Sequence, residues 1–316
     1  MRVLVTGITG FAGGHLAEAL AARPNVELAG LSRRPWPVNL RHLAERARLY
    51  TLDLDDGSAV ESVLREVRPE RIFHLAGYAN TGKSFHEPDQ AWTGNLGATR
   101  SLYEAVVRWG GTPRILFVGS GLIYGDPPSP GEALSEESPL RPASPYAASK
   151  AAADLLSYQY TRYPGLDIVR VRPFNHVGPR QSADYAIVHF ARQIAEIERG
   201  ERPPRIETGS LDALRDLTDV RDMVEAYQLL ADKGRTGEAY NAASGRVHAI
   251  GTVLDRLLNL ARVQVEVVPQ ARLMHAVETR EIRGDAGKLR RETGWSPRYD
   301  LDQTLQDTLD YWRSVR

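Results

Sequence analysis

The chain opens MRVLVTGITGFAGGHL, and this stretch restricts the possible folds more than any other. Val3, Leu4 and Val5 form an uninterrupted apolar run of the kind a strand carries when both faces are buried, which implies a parallel sheet. Gly7, Gly10 and Gly13 follow in the pattern TGxxGxxG. Glycines so spaced let the backbone turn sharply, approach a pyrophosphate with no Cβ in the way, and pack the next helix against the strand. That helix then directs its free N–H groups and the positive end of its dipole at the phosphates. Thr9, Phe11 and Ala12 share the turn and count with the glycines as expected dinucleotide contacts.

Composition narrows the remaining classes. At 316 residues and 42% apolar content the chain supplies the core of one large or two moderate globular domains. Forty basic and forty acidic residues leave no net field to gather nucleic acid or an anionic membrane. No stretch approaches the length of a membrane span. The first strand begins at Arg2 and leaves no room for a signal peptide, so a cytoplasmic location is expected. With no cysteine, disulfides, thiol nucleophiles and cysteine-held metals are excluded, and no metal is expected. Only four basic residues are lysines, Lys83, Lys150, Lys233 and Lys288, which draws attention to each.

Apolar strands and amphipathic helices alternate through the first half, with strands predicted at 2–6, 27–32, 49–52, 71–75, 114–118 and 167–171. This reads as an α/β fold, a doubly wound parallel sheet of the Rossmann type followed by a smaller C-terminal α/β substrate domain. Ligands of such sheets sit beyond the carboxyl ends of the strands. The second strand ends in LSRRPWP, where an NAD-selective enzyme usually places an acid on the ribose hydroxyls. Ser32, Arg33 and Arg34 stand there instead. Guanidinium groups bind a 2′-phosphate that a carboxylate would repel, so NADP(H) is favoured and NAD(H) remains possible. The bland reading of the two arginines is simple solvation.

After the fifth strand, VGSGLIYG is followed by Ser144-Pro145 and the helical run YAASKAAADLLSYQY. Serine as cap and proline in the first turn make a sound helix start. Tyr146 and Lys150, four apart, share a face, with only small residues between them. A phenol can exchange a proton with an alcohol or ketone oxygen while hydride moves at the adjacent carbon. Its ordinary pKa of about 10 calls for a nearby cation when it must act as a base. Lys150 supplies that charge and can bond a nicotinamide ribose, and Ser120 at the neighbouring strand end can donate to the same substrate oxygen.

Glycine spacing, Ser120, Tyr146 and Lys150 together resemble the extended short-chain dehydrogenase/reductase family, the group of nucleotide-sugar epimerases, dehydratases and reductases. The likeness extends over the whole chain through RVRPFNHVGPRQ, RDLTDVRDMVEAY, GEAYNAAS and IRGDAGKLRRETGWSP. These segments are most similar to the branch that reduces GDP-4-keto-6-deoxy-D-mannose. The resemblance implies a dinucleotide domain over 1–174, with 218–245 added, and a nucleotide-sugar domain over 175–217 and 246–316. It places Leu54, Leu75, Ala76, Gly77 and Pro173 along the cofactor. Asp53 is placed to accept from the adenine amine, with a helix cap as the equal alternative. Asn95 either braces the sheet or relays protons. Lys83, Asn175, Arg180, Arg215, Glu278 and Arg283 are implied on the substrate, a surface ion pair being the alternative for each arginine. His176 is read as packing. A GDP-sugar is the favoured substrate, and a homodimer is implied through the helix near 89–108 and the helix at 146–163, with Leu155, Leu156, Tyr158 and Tyr160 uncovered in a monomer.

One position departs from the group. In 4,6-dehydratases an acid two residues before the tyrosine of the xYG segment protonates the leaving hydroxyl, and here Gly121 and Leu122 stand in that place. Reduction of a 4-keto sugar by NADPH is therefore expected. A 4-epimerase that keeps its NAD is the principal rival, followed by a 4,6-dehydratase or a catalytically silent NADP-binding protein.

Overall fold

A computed structural model describes residues 1–270 and 281–315. The N-terminal apolar run forms β1 (Arg2–Thr6) and the glycine turn leads into α1 (Phe11–Ala21). There follow β2 (Glu27–Ser32), β3 (Ala47–Thr51), α2 (Gly57–Val67), β4 (Arg71–His74), α3 (Pro88–Trp92), α4 (Ala98–Trp109), β5 (Arg114–Val118), α5 (Pro145–Arg162) and β6 (Ile168–Pro173). The second half contributes β7 (His176–Val177), α6 (Ala186–Glu198), β8 (Arg205–Thr208), β9 (Leu214–Asp216), β10 (Thr218–Asp219), α7 (Val220–Lys233) and β11 (Ala239–Ala242). It ends with β12 (Val247–Ala249), α8 (Ile250–Leu260), β13 (Glu266–Pro269), β14 (Glu281–Ile282), α9 (Gly287–Thr293) and α10 (Leu301–Ser314).

Seven strands pair in the order β11-β6-β5-β4-β1-β2-β3, all parallel. Strand residues alternate between faces. Val3 and Val5 therefore enter the core beneath α1 and α7, whereas Leu4 enters the one beneath α2 and α4. Fully burying each such side chain contributes about 1.5–3 kcal/mol. Strand order reverses between β1 and β4, so a crevice opens at the carboxyl ends of these two strands, the usual ligand position of an open α/β sheet.

A third core gathers α6, α8 and α10 around Ile187, Ile194, Ile206, Val253, Leu257, Leu305 and Leu309. Ile282, Ala286, Leu289 and Trp295, which the expected boundaries group with 246–316, pack instead into the core of the large sheet. The helix expected over 89–108 is broken: α3 and α4 are joined by a π-helical turn, Thr93–Gly97. On α5, Leu155 and Tyr158 are exposed as expected, but Tyr160 is buried and Leu156 is packed inward. The Tyr160 ring lies 5.2 Å from that of Tyr103 and its hydroxyl bonds Glu104, so it belongs to the α4–α5 contact rather than to the surface.

Candidate active site

Helix α5 starts where Ser144 accepts the Ala147 N–H at 3.1 Å and Pro145 occupies the first turn. One turn apart, Tyr146 and Lys150 face the end of β5, where the Lys150 ammonium donates to the Val118 carbonyl at 3.1 Å. Ser120 lies two residues past β5 in extended backbone and caps a short 3-10 turn, Gly121–Tyr124, by accepting from Leu122 N–H at 3.2 Å. That bond leaves the Ser120 proton free to donate to Tyr146. Burial raises the Tyr146 pKa, and the Ser120 hydrogen bond opposes the rise. As a residue Tyr146 is half-buried. Lys150 is buried, and burial pushes its pKa down to about 8.

Gly77 marks where these groups meet the crevice. A Cβ there would sit 2.6 Å from Asn95 Oδ1 and 3.3 Å from Lys150 Nζ. Asn95 is buried in the π turn; its amide donates to Ser149 Oγ at 2.9 Å, and Ser149 donates to the Tyr146 carbonyl at 2.8 Å. Asn95 Oδ1 is buried with no protein partner.

On the other wall Gly7 has φ +72°, and a Cβ there would lie 2.8 Å from Ala76 N. A Cβ on Gly13 would lie 2.1 Å from the Gly7 carbonyl oxygen, so only glycine permits this turn to press on α1. Thr9 Oγ1 and Ser32 Oγ are 2.6 Å apart, tying the glycine turn to the tip of β2. Arg33 and Arg34 are exposed there, with no ion pair among the described residues. Asp53 binds the backbone N–H of Asp55 at 3.3 Å, and the cap of α2 is Asp56, which accepts from Ala59 at 3.0 Å. The capping role considered for Asp53 therefore falls to Asp56. Leu54 is buried, and its carbonyl accepts from Ser101. Leu75 N–H donates to the Thr6 carbonyl at 3.2 Å, and Pro173 closes β6 in register with Ala242.

The expected substrate residues are scattered by comparison. The Asn175 carbonyl accepts from Thr218 N–H at 3.0 Å, while its half-buried amide makes no hydrogen bond among the described residues. Arg215 on β9 is in register with Ile282 on β14, which puts Arg283 beside it. Arg283 pairs with Glu281 at 3.2 Å, and the Gly284 that follows it lies against Phe174, whose ring also contacts Gly121. Lys83 is ion-paired with Asp184 at 3.1 Å. Arg180 is held bidentately by Glu18 of α1, at 2.6 and 2.5 Å. Glu278 lies outside the described residues.

A family model described as GDP-mannose 4,6 dehydratase matches residues 4–308 of this chain. The chain belongs to the extended short-chain dehydrogenase/reductase family. GDP-6-deoxy-D-mannose reductase of Pseudomonas aeruginosa is 33% identical, over 99% of this chain and 97% of that protein. The solved structure of RMD from Pseudomonas aeruginosa complexed with NADPH superposes with a TM-score of 0.87 at 33% identity, over 99% of both chains. The UDP-glucose 4-epimerase of Thermus thermophilus, solved with NAD, gives 0.88 at 30% identity over the full length of both.

In this extended dehydrogenase/reductase the crevice fits a dinucleotide by its own geometry. The glycine turn leaves a cradle that side chains would fill, Arg33 and Arg34 at the tip of β2 have no ion pair among the described residues, and the Asn95 oxygen without a partner lies on the Gly77 side, toward Lys150. No helix among the described residues is long and apolar enough to cross a membrane. Sequence reasoning missed Tyr185, whose hydroxyl donates to the Ala79 carbonyl at 2.8 Å. No motif surrounds it. It also passed over Asp216, a buried carboxylate that accepts from Ser244 N–H and Oγ and from the N–H groups of Gly245 and Gly284, fixing the loops beside Arg215 and Arg283. The signal was present in RDLTDVRD, where an acid beside an arginine can be a brace.

Proposed function

We propose that this protein is an NADPH-dependent reductase of a 4-keto nucleotide sugar, with GDP-4-keto-6-deoxy-D-mannose the favoured substrate and GDP-6-deoxy-mannose the product. The observation that carries the reading is the Ser120–Tyr146–Lys150 cluster beside the glycine cradle, with no acid at 121 or 122. The bound dinucleotide would supply hydride to the sugar C4. Gly7, Gly10 and Gly13 hold its pyrophosphate, and Arg33 and Arg34 its 2′-phosphate. Tyr146 holds its proton at neutral pH because burial raises its pKa, and gives it to the C4 oxygen as the carbonyl becomes an alcohol. Ser120, already oriented by Leu122 N–H, donates to the same oxygen. The Lys150 ammonium stabilises the phenolate left behind.

Water loss across C5 and C6 needs an acid for the leaving hydroxyl. Leu122 instead packs against the apolar core and Gly121 abuts Phe174, so the dehydratase chemistry in the family description is not carried over to this chain. A 4-epimerase is the second reading, supported by the fold-wide likeness to the Thermus enzyme. Incubation with 4-keto and 4-hydroxy nucleotide sugars and either NADPH or NADH separates the two. Stoichiometric NADPH consumption with a 4-keto sugar is expected, whereas interconversion of C4 epimers on retained NAD would overturn the reading. In the cofactor titration, NADP should bind more tightly than NAD, and Arg33→Ala with Arg34→Ala should abolish the difference. We further infer a homodimer through α3, α4 and α5, since Trp92, Leu155 and Tyr158 are 41%, 56% and 45% exposed on adjoining elements.

A further inference from the structure

Behind the site runs a buried hydrogen-bond chain whose direction can be assigned from end to end. The Asn95 carbonyl accepts from Thr99 Oγ1 at 2.6 Å, which occupies the Thr99 proton. The 3.0 Å contact between Thr99 Oγ1 and His74 Nε2 is therefore donated by the histidine. Burial, and secondarily the charge of Lys150, push the His74 pKa down to about 3, so the ring carries a single proton, on Nε2. Nδ1 is left as an acceptor, and Thr6 Oγ1, 2.8 Å away, donates to it. Thr6 Oγ1 in turn accepts from Ala76 N–H at 3.1 Å. Thr6, His74, Thr99 and Asn95 are each at most 2% exposed.

The two ends of this chain flank the same point. One end is the Ala76–Gly77 backbone; the other is the π turn that carries Asn95. A π turn is a rare, locally unfavourable conformation that persists where tertiary contacts hold it, often at functional sites. Here the Asn95 side chain runs on to Ser149, and its free Oδ1 lies by the position where a Gly77 Cβ would also meet Lys150. A phenylalanine would fill the His74 space between Tyr103 and Phe117 without burying any polar atom. Histidine is distinguished from it by offering one donor and one acceptor to two threonines.

We propose that His74 is a positioning residue for proton transfer: through Thr99 it fixes the π turn that aims Asn95 at Lys150, and through Thr6 it fixes the backbone of Ala76 and Gly77 opposite. Its kinetic consequence rests on the reading of Tyr146 and Lys150 as the reacting pair. Its structural consequence does not.

Three variants test it. Thr99→Val cuts the chain between His74 and Asn95 with little change of shape, His74→Phe removes both ring bonds, and His74→Gln restores one donor and one acceptor. The chain holds four lysines, so Lys150 can be titrated in the ligand-free protein by NMR of ε-13C-lysine, with Lys150→Met for assignment. An Asn95 oxygen held toward Lys150 would favour its ammonium form, so on this proposal the Lys150 midpoint should fall by about half a pH unit in Thr99→Val and His74→Phe, and His74→Gln should restore it. In turnover with a 4-keto sugar, the first two variants should lose kcat by about 10-fold or more, because small misplacements of reacting groups are costly, with KM for sugar and NADPH little changed. A folded Thr99→Val with the parent's Lys150 titration and kcat would overturn the proposal, and it decides the matter if His74→Phe does not fold. Should the parent reduce no keto sugar while the Lys150 midpoint still moves, the proposed reaction fails and the positioning role stands.

Discussion

For reduction, Tyr146 must keep its proton until the C4 oxygen takes it, and Lys150 must be charged when the phenolate appears. Burial secures the first by raising the tyrosine pKa and limits the second by lowering the lysine to about 8. Ketone reduction should therefore hold steady through neutral pH and fall as pH rises through about 8. Stability runs the other way. Between about 8 and the ordinary 10.5 the folded chain holds fewer protons at Lys150 than the unfolded chain, so this residue's contribution to stability grows with pH across that window. Tyr146→Phe should lower kcat by about 10² to 10⁴-fold while NADPH affinity stays near the parent's, because it deletes a proton donor and little surface. Rates and fluorescence titration check both parts, and a Phe variant with parent kcat would remove Tyr146 from the reaction. That these side chains come together was legible from local spacing, four residues on a helix and a serine at the adjacent strand end. The Arg180–Glu18 ion pair was not, since the two residues are 162 apart and an arginine's ion pair leaves no local pattern.

Helix α5 is tied to β6 by one buried carboxylate, one turn beyond Lys150. Asp154 is fully buried and accepts from Arg170 Nη1 at 2.5 Å and from Arg172 Nε and Nη2 at 3.1 and 2.8 Å, both arginines lying on β6. Breaking such a group leaves buried charge uncompensated, at a cost of about 3–5 kcal/mol. Asp154→Asn should lose stability of that order in denaturant unfolding; a loss below about 1 kcal/mol would mean the triad is not the anchor. Strand and helix positions followed from apolar period and from caps such as Ser144. The π turn did not, because nothing in GNLGAT distinguishes it from an α-helical turn, and the contacts that His74 makes to Thr99 and Ser149 to Asn95 come from residues distant in sequence.

Across the whole molecule, the segment after β4 is tied to the segment before α6, where Lys83 pairs with Asp184 and Tyr185 bonds Ala79. The doubly wound sheet was legible from strand–helix alternation, whereas the docking of residues 282–295 onto it was not, because their apolar spacing suits either core. Outside the cores, the exposed apolar side chains of α3 and α5 predict that sedimentation will show a dimer at micromolar concentration, and that Leu155→Glu with Tyr158→Glu will give monomer. A parent that sediments only at 35.1 kDa would contradict the dimer. The central claim, hydride and proton delivery to a 4-keto nucleotide sugar, is tested most directly by mixing the purified protein with GDP-4-keto-6-deoxy-D-mannose and NADPH and following absorbance and product together. One GDP-6-deoxy-hexose formed for each NADPH consumed, with no dehydration of GDP-mannose by the same preparation, is the predicted result; conversion of GDP-mannose to its 4-keto-6-deoxy product, or no NADPH consumption with any 4-keto sugar, would contradict it.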